Sequence, residues 1–344
     1  MSRWAVILAG GVGSRFWPLS TPERPKQLMP LAGDSPLLAD AIERLAPLVP
    51  VEQTLILTNG SLAGAVRALM PALPAENVIA EPRAAGTAPA LAWAAVEIGR
   101  RAGRDATMIS VHADWAVADP DGFRSTLALA AEAAERYESL VTVGIVPSRP
   151  DPGFGYIHPG EAVDGARKVE RFVEKPDRAT AERMVSDGYL WNSGIFVWRV
   201  GDFMDELRAH CSEILPSIDA AERGDMREFF ATVKPISVDE GVLERSERVL
   251  VIPGDFGWDD IGTWAALRRV RRLDAAGNAS FGDVHAVDSG DNVVHAEGQT
   301  VVLYGVHDLV VVSRDGLTLV TTVERAADLK KMLEALPERV RELK

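Results

Sequence analysis

An apolar run that passes directly into a glycine-rich turn constrains this chain more than any other feature of its sequence. The run Trp4–Ala9 has the composition of a buried strand, and Gly10, Gly11 and Gly13 follow at once. Glycine permits backbone dihedral angles that other residues avoid, and it lets an anion approach the backbone N–H groups closely. Such a turn after the first strand predicts a phosphate-binding site.

Two cationic side chains follow the turn. They are Arg15 and Lys26, and the backbone between them is restricted by Pro18, Pro22 and Pro25. Two positive charges beside a glycine turn favour a polyphosphate ligand. A glycine turn that does nothing but reverse the chain stays open as the alternative.

Two common nucleotide-binding motifs do not fit this segment. A P-loop requires Gly-Lys-Ser/Thr, which does not follow these glycines. The dinucleotide motif begins at Gly11 and Gly13, but Phe16 stands at its third glycine position, and a helix does not open into Trp17-Pro18. The sequence therefore argues against a Rossmann-type dehydrogenase.

Composition and charge restrict the class of protein. Hydrophobic residues make up 47% of the 344 residues and charged residues 25%, an ordinary balance for a globular protein. The net charge of −13 argues against nucleic acid or a membrane surface as a partner. The single Cys211 excludes an internal disulfide, and no apolar stretch approaches the length of a membrane span. We therefore expect a cytoplasmic protein.

Strand and helix patterns alternate along the first three quarters of the chain. Strands are predicted over 4–9, 53–58, 77–80, 107–111 and 140–145, and helices over 37–48, 62–70, 88 onward and 122–138. Thr87 is predicted to cap the helix that it precedes. This alternation is typical of an α/β fold with a mostly parallel, Rossmann-like sheet flanked by helices. We assign it to a first domain, residues 1–274.

The remaining residues, 275–344, have a different pattern. Short valine-rich strands recur from Val284 to Val320 with Gly, Asn and Asp turns between them and no crossover helices. A charged amphipathic helix is predicted over 326–343. A β unit this small buries little surface alone, so we expect it to pack on its own catalytic domain or on a second copy, giving a homodimer.

Polar residues at strand ends and in loops are candidates for chemistry. Asp114 follows the strand 107–111, where ligands of parallel sheets gather, and Asp260 lies in a loop between Gly257 and Gly262. Either aspartate could hold a metal ion, and either could equally be a turn or cap residue. His112 is expected to pack or hydrogen-bond locally.

A second group of candidates lies further along the chain. Glu174-Lys175 ends a strand, and Asn192 precedes the apolar strand that includes Trp198. The Glu-Lys pair could be solvated and of little energetic weight, or it could bind a sugar phosphate. Asn192 could form a turn, or it could donate to and accept from a sugar hydroxyl.

These strings together resemble a known family. GGVGSRFWPLS…RPKQL, EPRAAGTAPA, GFGYI, VEKP, WNSG and GWDDIG occur in the order typical of the sugar-1-phosphate nucleotidyltransferases. The Phe-Trp-Pro-Leu-Ser segment looks most like the guanylyltransferase branch that acts on mannose 1-phosphate. The resemblance implies a glycosyltransferase-A-like catalytic fold with a β-helix-like C-terminal unit. It also implies GTP and mannose 1-phosphate as substrates, GDP-mannose and pyrophosphate as products, and Mg²⁺ as cofactor.

The resemblance also implies roles for individual residues. Arg15 and Lys26 would be catalytic, and Asp114 and Asp260 would hold the metal ion. The nucleotide would be bound by Leu8, Ala9, Gly10, Gly11, Gly13, Glu81, Gly86 and Thr87. The sugar phosphate would be bound by Gly155, Glu174, Lys175 and Asn192. Asp259 occupies a variable position and is not expected to be a ligand.

The chain departs from the family pattern at two positions. Gly86 stands where the family usually has Asn, and Trp115 stands where it usually has His. Two alternatives stay open at this point: a nucleotidyltransferase of other specificity, such as a glucose-1-phosphate thymidylyl- or uridylyltransferase, and a catalytically silent homologue that binds sugar nucleotides.

Overall fold

The computed structural model describes residues 1–11 and 13–341. The strands are β1 (Arg3–Leu8), β2 (Thr54–Asn59), β3 (Val78–Glu81), β4 (Thr107–His112), β5 (Ala116–Val117), β6 (Leu140–Ile145), β7 (Tyr156–Val163), β8 (Ala166–Val173), β9 (Leu190–Arg199), β10 (Val249–Gly254), β11 (Trp258–Asp259), β12 (Ala279–Phe281), β13 (Val284–Val287), β14 (Val293–Ala296), β15 (Val301–Tyr304), β16 (Leu309–Arg314) and β17 (Leu317–Thr322). The α-helices are α1 (Leu37–Leu45), α2 (Ala63–Leu69), α3 (Thr87–Ala102), α4 (Pro120–Tyr137), α5 (Arg178–Ser186), α6 (Val200–His210), α7 (Ile218–Arg223), α8 (Met226–Thr232), α9 (Leu267–Val270), α10 (Lys330–Ala335) and α11 (Glu338–Arg341).

The chain forms two compact units, each built from separated segments. The sheet unit comprises Met1–Gly10, Ala41–Ala113 and Asp119–Phe256. The coil unit comprises Gly11–Asp40, Asp114–Ala118 and the chain from Gly257 onward. The division at residues 274 and 275 stays a prediction about sequence domains.

The sheet unit contains a nine-stranded sheet in the order β3-β2-β1-β4-β9-β6-β10-β8-β7. The pairs β1–β2, β2–β3, β1–β4 and β6–β10 are parallel, and β9 is antiparallel to β4, β6 and β7. Because β8 is antiparallel to β10 and β7, only β8 and β9 run against the other seven strands. The predicted mostly parallel sheet is confirmed.

The strands of this sheet are apolar because helices cover both faces of the sheet. From Trp4 to Leu8 every residue of β1 is buried, as its unbroken apolar sequence predicts. The Ala-rich helix α3 packs on β1, β2 and β4, where its small side chains allow close approach, and α4 packs on β6, β9 and β10. The core joins Val6 and Leu8 to the apolar face of α3.

The end of the coil unit is a short parallel β-coil. Two ladders run through it: β12, β14 and β16 pair in parallel, and so do β13 and β15. Alternate residues of one strand enter two clusters, with Val293 in one and Val294 in the other. Stacked asparagines complete the turns, since Asn278 Oδ1 accepts from the backbone N–H and the side chain of Asn292. The predicted β-helix-like unit is confirmed.

The prediction of one continuous helix over 326–343 is only partly right. A short 3₁₀ turn ends at Ala327, and α10 and α11 follow as separate helices. Pro337 separates the two, since it holds the preceding Leu336 in an extended conformation, with a ψ of 144°. Leu343 lies outside the described residues.

Across residues 1–11 and 13–341, no helix combines the length and the apolar character that a bilayer crossing requires.

Candidate active site

The glycines that follow β1 are explained by different structural reasons. Gly13 has a φ of +68°, and a Cβ there would lie 2.4 Å from Cβ of Lys26, so only glycine fits. Gly10 and Gly11 have no positive φ, and no described atom lies within 4 Å of a Cβ built on either. The turn's own packing therefore does not require glycine at these two positions, as expected where a ligand approaches the backbone.

The buried residues before these glycines are already hydrogen-bonded. The N–H of Ala9 donates to Leu57 O at 2.8 Å, and Ala9 O accepts from Thr58 Oγ1 at 3.0 Å. The carbonyl of Leu8 accepts from the N–H of Ala113 at 3.0 Å. Leu8 and Ala9 thus anchor the turn to the sheet, whereas Gly10 and Gly11 are exposed.

Lys26 brings the two predicted metal ligands together within the coil unit. Its Nζ lies 3.1 Å from Oδ2 of Asp114 and donates to the backbone carbonyl of Asp260 at 2.6 Å. The lysine side chain is only 7% exposed, and its ammonium lies 5.9 Å from the Phe16 ring centroid. A buried ammonium of this kind is positioned before any substrate arrives.

The second predicted cation has a different environment. Arg15 lies in the 3₁₀ turn Ser14–Phe16 and is exposed. It forms no ion pair within 4 Å with another residue in 1–11 and 13–341. Its guanidinium is therefore available for an anion from solution.

The adjacent aspartates Asp259 and Asp260 have separate roles. The buried Asp259 carboxylate pairs with Arg269, whose Nε donates to Oδ2 at 2.6 Å. The Asp260 carboxylate is partly exposed, and its Oδ1 accepts from the N–H of Gly262 at 3.1 Å. Because Asp259 is committed to an arginine, Asp260 is the better candidate ligand of the two.

The donor set suits a hard divalent cation. Asp114 and Asp260 offer carboxylate oxygens, and the described residues contain no group of three or more His, Cys, Asp or Glu side chains arranged around one metal position. Mg²⁺ in phosphate-transferring sites is typically held by one or two carboxylates, with substrate phosphates and water completing its shell. Two aspartates therefore fit such an ion, whereas they would make a poor closed structural metal site.

The sheet unit places the predicted base-binding residues at the end of β3 and the start of α3. Burial raises the pKa of the Glu81 carboxyl to about 7, so it is poised to change charge near neutral pH. Gly86 has a φ of +86°, and a Cβ there would lie 2.2 Å from the carbonyl oxygen of Ile236. The close approach of residue 236 thus explains glycine where the family usually has asparagine.

The prediction that Thr87 caps α3 is wrong. Gly86 precedes the helix, and Thr87 is its first residue. The hydroxyl of Thr87 instead accepts a hydrogen bond from the N–H of Val238 at 2.9 Å. Tertiary pairing of segment 236–238 with residues 85–88 therefore takes the place of a local cap.

Three of the four predicted sugar-phosphate residues converge within the sheet unit. A β-bulge in β9 pairs Val143 with Ile195 and Gly144 with Asn192, which leaves Ser193 and Gly194 between them. The N–H of Asn192 donates to Gly155 O at 2.8 Å, and a Cβ on Gly155 would lie 2.8 Å from Oε2 of Glu174. Bulges of this kind re-aim a side chain. The prediction that Asn192 precedes the strand is wrong, since Asn192 lies within β9 (Leu190–Arg199).

Lys175 completes this group in sequence but is more exposed. It has a φ of +41°, and its ammonium forms an ion pair with the Glu174 carboxylate. Both side chains are more than half exposed, so the pair itself contributes little stability.

Sequence reasoning missed one residue beside Asn192. Nδ2 of Asn192 donates to Oδ1 of Asp239 at 2.7 Å, and Asp239 begins a π-helical turn over Asp239–Leu243. Burial raises the pKa of the Asp239 carboxyl. π-Helical turns are rare and concentrate at functional sites. The acidic string Asp239-Glu240 was the available signal, but it could not be told from a solvated loop.

The second departure from the family pattern, Trp115, has a packing role. Its ring meets that of Trp258 edge-on, with centroids 5.8 Å apart, and both rings are buried in the coil unit. The aromatic pair joins the short strands β5 and β11 next to the metal candidates in sequence.

Comparison with known proteins identifies the family. Residues 4–277 match the family described as Nucleotidyl transferase. This chain belongs to that family. Residues 282–336 match a second family, described as MannoseP isomerase/GMP-like beta-helix domain. The nucleotidyltransferase resemblance drawn from the motifs is thus confirmed, and enzymes of this family generally use a divalent metal ion.

Individual proteins resemble the chain over nearly its whole length. Mannose-1-phosphate guanylyltransferase of Escherichia coli is 37% identical over 97% of this chain and 73% of its own length. Alginate biosynthesis protein AlgA of Pseudomonas aeruginosa is 36% identical over 96% of this chain and 71% of its own. The crystal structure described as mannose-1-phosphate geranyltransferase from Thermus thermophilus has a TM-score of 0.88 and 35% identity, covering 97% of this chain and 99% of that one.

Proposed function

We propose that this nucleotidyltransferase transfers GMP from GTP to α-D-mannose 1-phosphate, releasing pyrophosphate and forming GDP-mannose. The observation that carries the proposal is the contact of the Lys26 ammonium with both Asp114 and Asp260. Similarity to the guanylyltransferase of Escherichia coli supports the choice of substrates.

The reaction joins two anions by an in-line displacement. An oxygen of the sugar phosphate attacks the α-phosphorus of GTP, and the bond from that phosphorus to the β-phosphate oxygen breaks. Like charges about 4 Å apart repel by about 4 kcal/mol per unit pair at an effective dielectric constant of 20. Positioning and charge neutralisation therefore carry the catalysis, and no covalent enzyme intermediate is needed.

The two cations divide the phosphates between them. The exposed Arg15 binds the β- and γ-phosphates and stabilises the leaving pyrophosphate, since a guanidinium matches phosphate oxygens bidentately. Lys26 is fixed by Asp114 and Asp260, so its ammonium meets the α-phosphate or the incoming phosphate without rearrangement. The backbone N–H groups of Gly10, Gly11 and Gly13 bind the triphosphate.

Asp114 and Asp260 would hold Mg²⁺. When bound, the ion neutralises phosphate charge and polarises the α-phosphoryl group.

The nucleotide base is assigned to the segment that begins at Glu81. A carboxylate accepts hydrogen bonds from both N1–H and the 2-amino group of guanine, a pair of donors that adenine and the pyrimidines lack. Gly86 and Thr87 shape the start of α3 beside it. Glu81 with a pKa of about 7 is largely ionised once guanine supplies those two donors.

The sugar phosphate is assigned to the cluster around the β9 bulge. Glu174 and Asn192 bind sugar hydroxyls, and Lys175 binds the phosphate. Gly155 leaves room for these side chains, and the Asn192 amide is oriented at both ends, since its Nδ2 donates to Asp239 and its Oδ1 accepts from the N–H of Gly194. Asp239 enters here as an addition to the residues predicted from sequence.

Two further features belong to the proposal. We expect a homodimer, because the small β-coil has exposed apolar residues, including Val302 and Tyr304. We expect the protein to act in the cytoplasm, where GTP is available and a single cysteine stays reduced.

The test is pyrophosphate release with Mg²⁺, crossing GTP, ATP, UTP and dTTP with mannose 1-phosphate and glucose 1-phosphate. Rapid turnover with GTP and mannose 1-phosphate alone is expected. Turnover with another pair would move the specificity within the same family. Nucleotide binding without turnover of any pair would indicate a silent homologue and overturn the proposal.

A further inference from the structure

The β-coil, together with Arg271 just before it, contacts the segment that carries Lys26, and each contact includes an arginine side chain. Nη1 and Nη2 of Arg24 donate to the two carboxylate oxygens of Glu297, each at 2.8 Å. Nη1 of Arg314 donates to the carbonyl of Leu19 at 3.1 Å, and Nε of Arg271 donates to the carbonyl of Leu31 at 2.7 Å. The segment from residue 19 to residue 31 is thus held near both ends and in its middle.

Glu297 is itself held by a buried chain of hydrogen bonds, here called the relay, that runs through His295 to Arg271. Its Oε1 lies 3.0 Å from Nε2 of His295, which is fully buried, and Nδ1 of His295 lies 3.0 Å from Nη2 of Arg271. A guanidinium can only donate, so Nδ1 is the acceptor and Nε2 carries the proton that is donated to Glu297. The imidazole is neutral in this arrangement, and both of its nitrogens are used.

The surroundings of Glu297, His295 and Arg271 favour the protonation states that this arrangement requires. The hydrogen bond from His295, with those from Arg24, holds the pKa of Glu297 well below its usual range. Burial lowers the pKa of His295 and lowers that of Arg271 to about 10, which leaves the guanidinium charged at neutral pH. Removing a charged arginine from water is costly, so a buried hydrogen-bond network of this kind adds little to the free energy of unfolding. Its main effect is to favour one arrangement of these side chains over the others.

The relay lies next to the residues that surround Lys26. Arg24 is two residues before Lys26 in sequence. Pro25 lies between them, and its fixed φ restricts the backbone that joins Arg24 to Lys26. On the other side, the His295 ring packs edge-on against Trp264, and Trp264 packs against Phe16, which lies beneath the Lys26 ammonium. Glu297 is thus connected to the Lys26 segment in two ways, through the backbone next to Arg24 and through the ring contacts that begin at His295.

We propose that Glu297 is a positioning residue for catalysis, which fixes Lys26 through its paired hydrogen bonds to Arg24. The β-coil is then part of the catalytic apparatus and more than a packing or dimerisation element. This inference rests on the proposed nucleotidyl transfer, but not on the identity of the nucleotide or the sugar.

The test is a mutant cycle on the full-length protein. Glu297→Ala should lower kcat roughly 10- to 100-fold with little change in the KM for the sugar phosphate, because a displaced cation affects the transition state more than binding. Arg24→Ala should lower kcat similarly, and the double variant should be no worse than either. Arg24→Lys, which keeps one hydrogen bond to Glu297, should recover part of the rate.

Two controls separate positioning from loss of structure. Asp283→Ala removes an exposed carboxylate of the same β-coil, one that pairs with His285, and should leave kcat unchanged. In a Lys26→Ala background, Glu297→Ala should have no further effect on kcat. If Glu297→Ala does not fold, Glu297→Gln replaces it, since glutamine keeps the shape and one acceptor.

A readout that does not depend on activity is the labelling rate of the Lys26 amine by an acylating reagent, followed by mass spectrometry. Lys26 is nearly inaccessible, and Glu297→Ala should raise its labelling rate about tenfold. Unchanged labelling and unchanged kcat in a folded variant would overturn the inference. An inactive wild-type protein whose Lys26 labelling still responds to Glu297 would instead place the failure in the proposed function.

Discussion

Nζ of Lys26 lies 3.1 Å from Oδ2 of Asp114, and the two side chains differ sharply in exposure, 7% for the lysine and 36% for the aspartate. The protein thus encloses the cation and leaves part of the anion open. A second contact, from the ammonium to the backbone carbonyl of Asp260, fixes the lysine further. This asymmetry suits a site in which the cation is preorganised and the carboxylate still receives a ligand.

The first prediction concerns the charge of Lys26. Lys26→Met keeps the aliphatic stem that packs beside Gly13 and Phe16 but removes the ammonium. We expect kcat to fall roughly 10²- to 10³-fold, as for loss of one preorganised transition-state donor, while the midpoint of thermal unfolding changes little. Steady-state kinetics and calorimetry on the same preparation check this. A kcat within twofold of wild type would remove Lys26 from the catalytic residues.

The second prediction compares two neighbouring aspartates. Asp260→Asn should raise the Mg²⁺ concentration needed for half-maximal activity, because the ion loses a charged ligand. Asp259→Asn is the matched control, since it weakens the pairing with Arg269 and should cost about 1.5–3 kcal/mol of stability without changing the Mg²⁺ requirement. Metal titrations and urea unfolding distinguish the two. Equal metal dependence in both variants would contradict the assignment of Asp260.

The third prediction is a pH dependence caused by Glu81. Its pKa is about 7 in the folded protein and near 4.5 when exposed, so the folded state binds more protons between these values. Stability contributed by this residue therefore falls as pH rises from about 4.5 to 7 and is constant above that range. Glu81→Gln should flatten this part of the profile of unfolding free energy against pH.

The same residue should affect nucleotide binding in the opposite direction. If the carboxylate form accepts hydrogen bonds from guanine, the KM for GTP should fall as pH rises from 6 to 8. In Glu81→Gln that slope should be absent and the KM higher throughout. A slope that persists in the variant would assign the titration to another group.

The fourth prediction concerns Asp239. Asp239→Ala removes the acceptor for Nδ2 of Asn192, and the amide then keeps only the hydrogen bond that its oxygen accepts from the N–H of Gly194. We expect kcat/KM for the sugar phosphate to fall roughly tenfold, in line with loss of one buried hydrogen bond, with little change in the KM for GTP. Glu240→Gln, on the exposed side of the same turn, is the control. Equal losses for both substrates would indicate a general structural effect.

The fifth prediction separates backbone strain from steric clash by comparing alanine substitutions at two glycines with nearly equal φ. Gly103 has a φ of +85° and a ψ of 171°, and no described atom lies within 4 Å of a Cβ placed on it, so Gly103→Ala should cost only the strain of a backbone region that glycine alone adopts readily, about 1–3 kcal/mol. Gly86→Ala adds a clash with Ile236 O and should cost about 1–3 kcal/mol more. Chemical denaturation measures the difference. Equal losses would mean that segment 236–238 moves aside freely.

Much of the fold follows from local pattern. Continuous apolar runs such as Trp4–Ala9 predict buried strands because only a strand covered on both faces has no polar side, and valine-rich repeats without helices predict a separate β unit, whose coiled form the family resemblance implied. The cap at Thr87 could not be predicted correctly, because a residue 151 positions away supplies the partner of its hydroxyl. Pro337, in contrast, was a local signal for the break between α10 and α11.

The candidate residues show the same division. Motif spacing selects Arg15, Lys26, Asp114 and Asp260, but it does not show that one ammonium contacts both aspartates. Asp259 and Asp260 are identical in type and adjacent in sequence, and only the position of Arg269 distinguishes them. Asp239 carries no local motif and becomes a candidate only because β9 places Asn192 beside it.

The sequence by itself determined the class of fold, the family and the residue types that meet phosphate, because these depend on local composition and on motifs a few residues long. Tertiary structure decided which aspartate is committed to an arginine, why position 86 is glycine, and that Glu297 contacts Arg24 across 273 residues of chain. Those outcomes depend on distances between segments remote in sequence, and a hydrogen bond or a steric clash is decided within a fraction of an ångström.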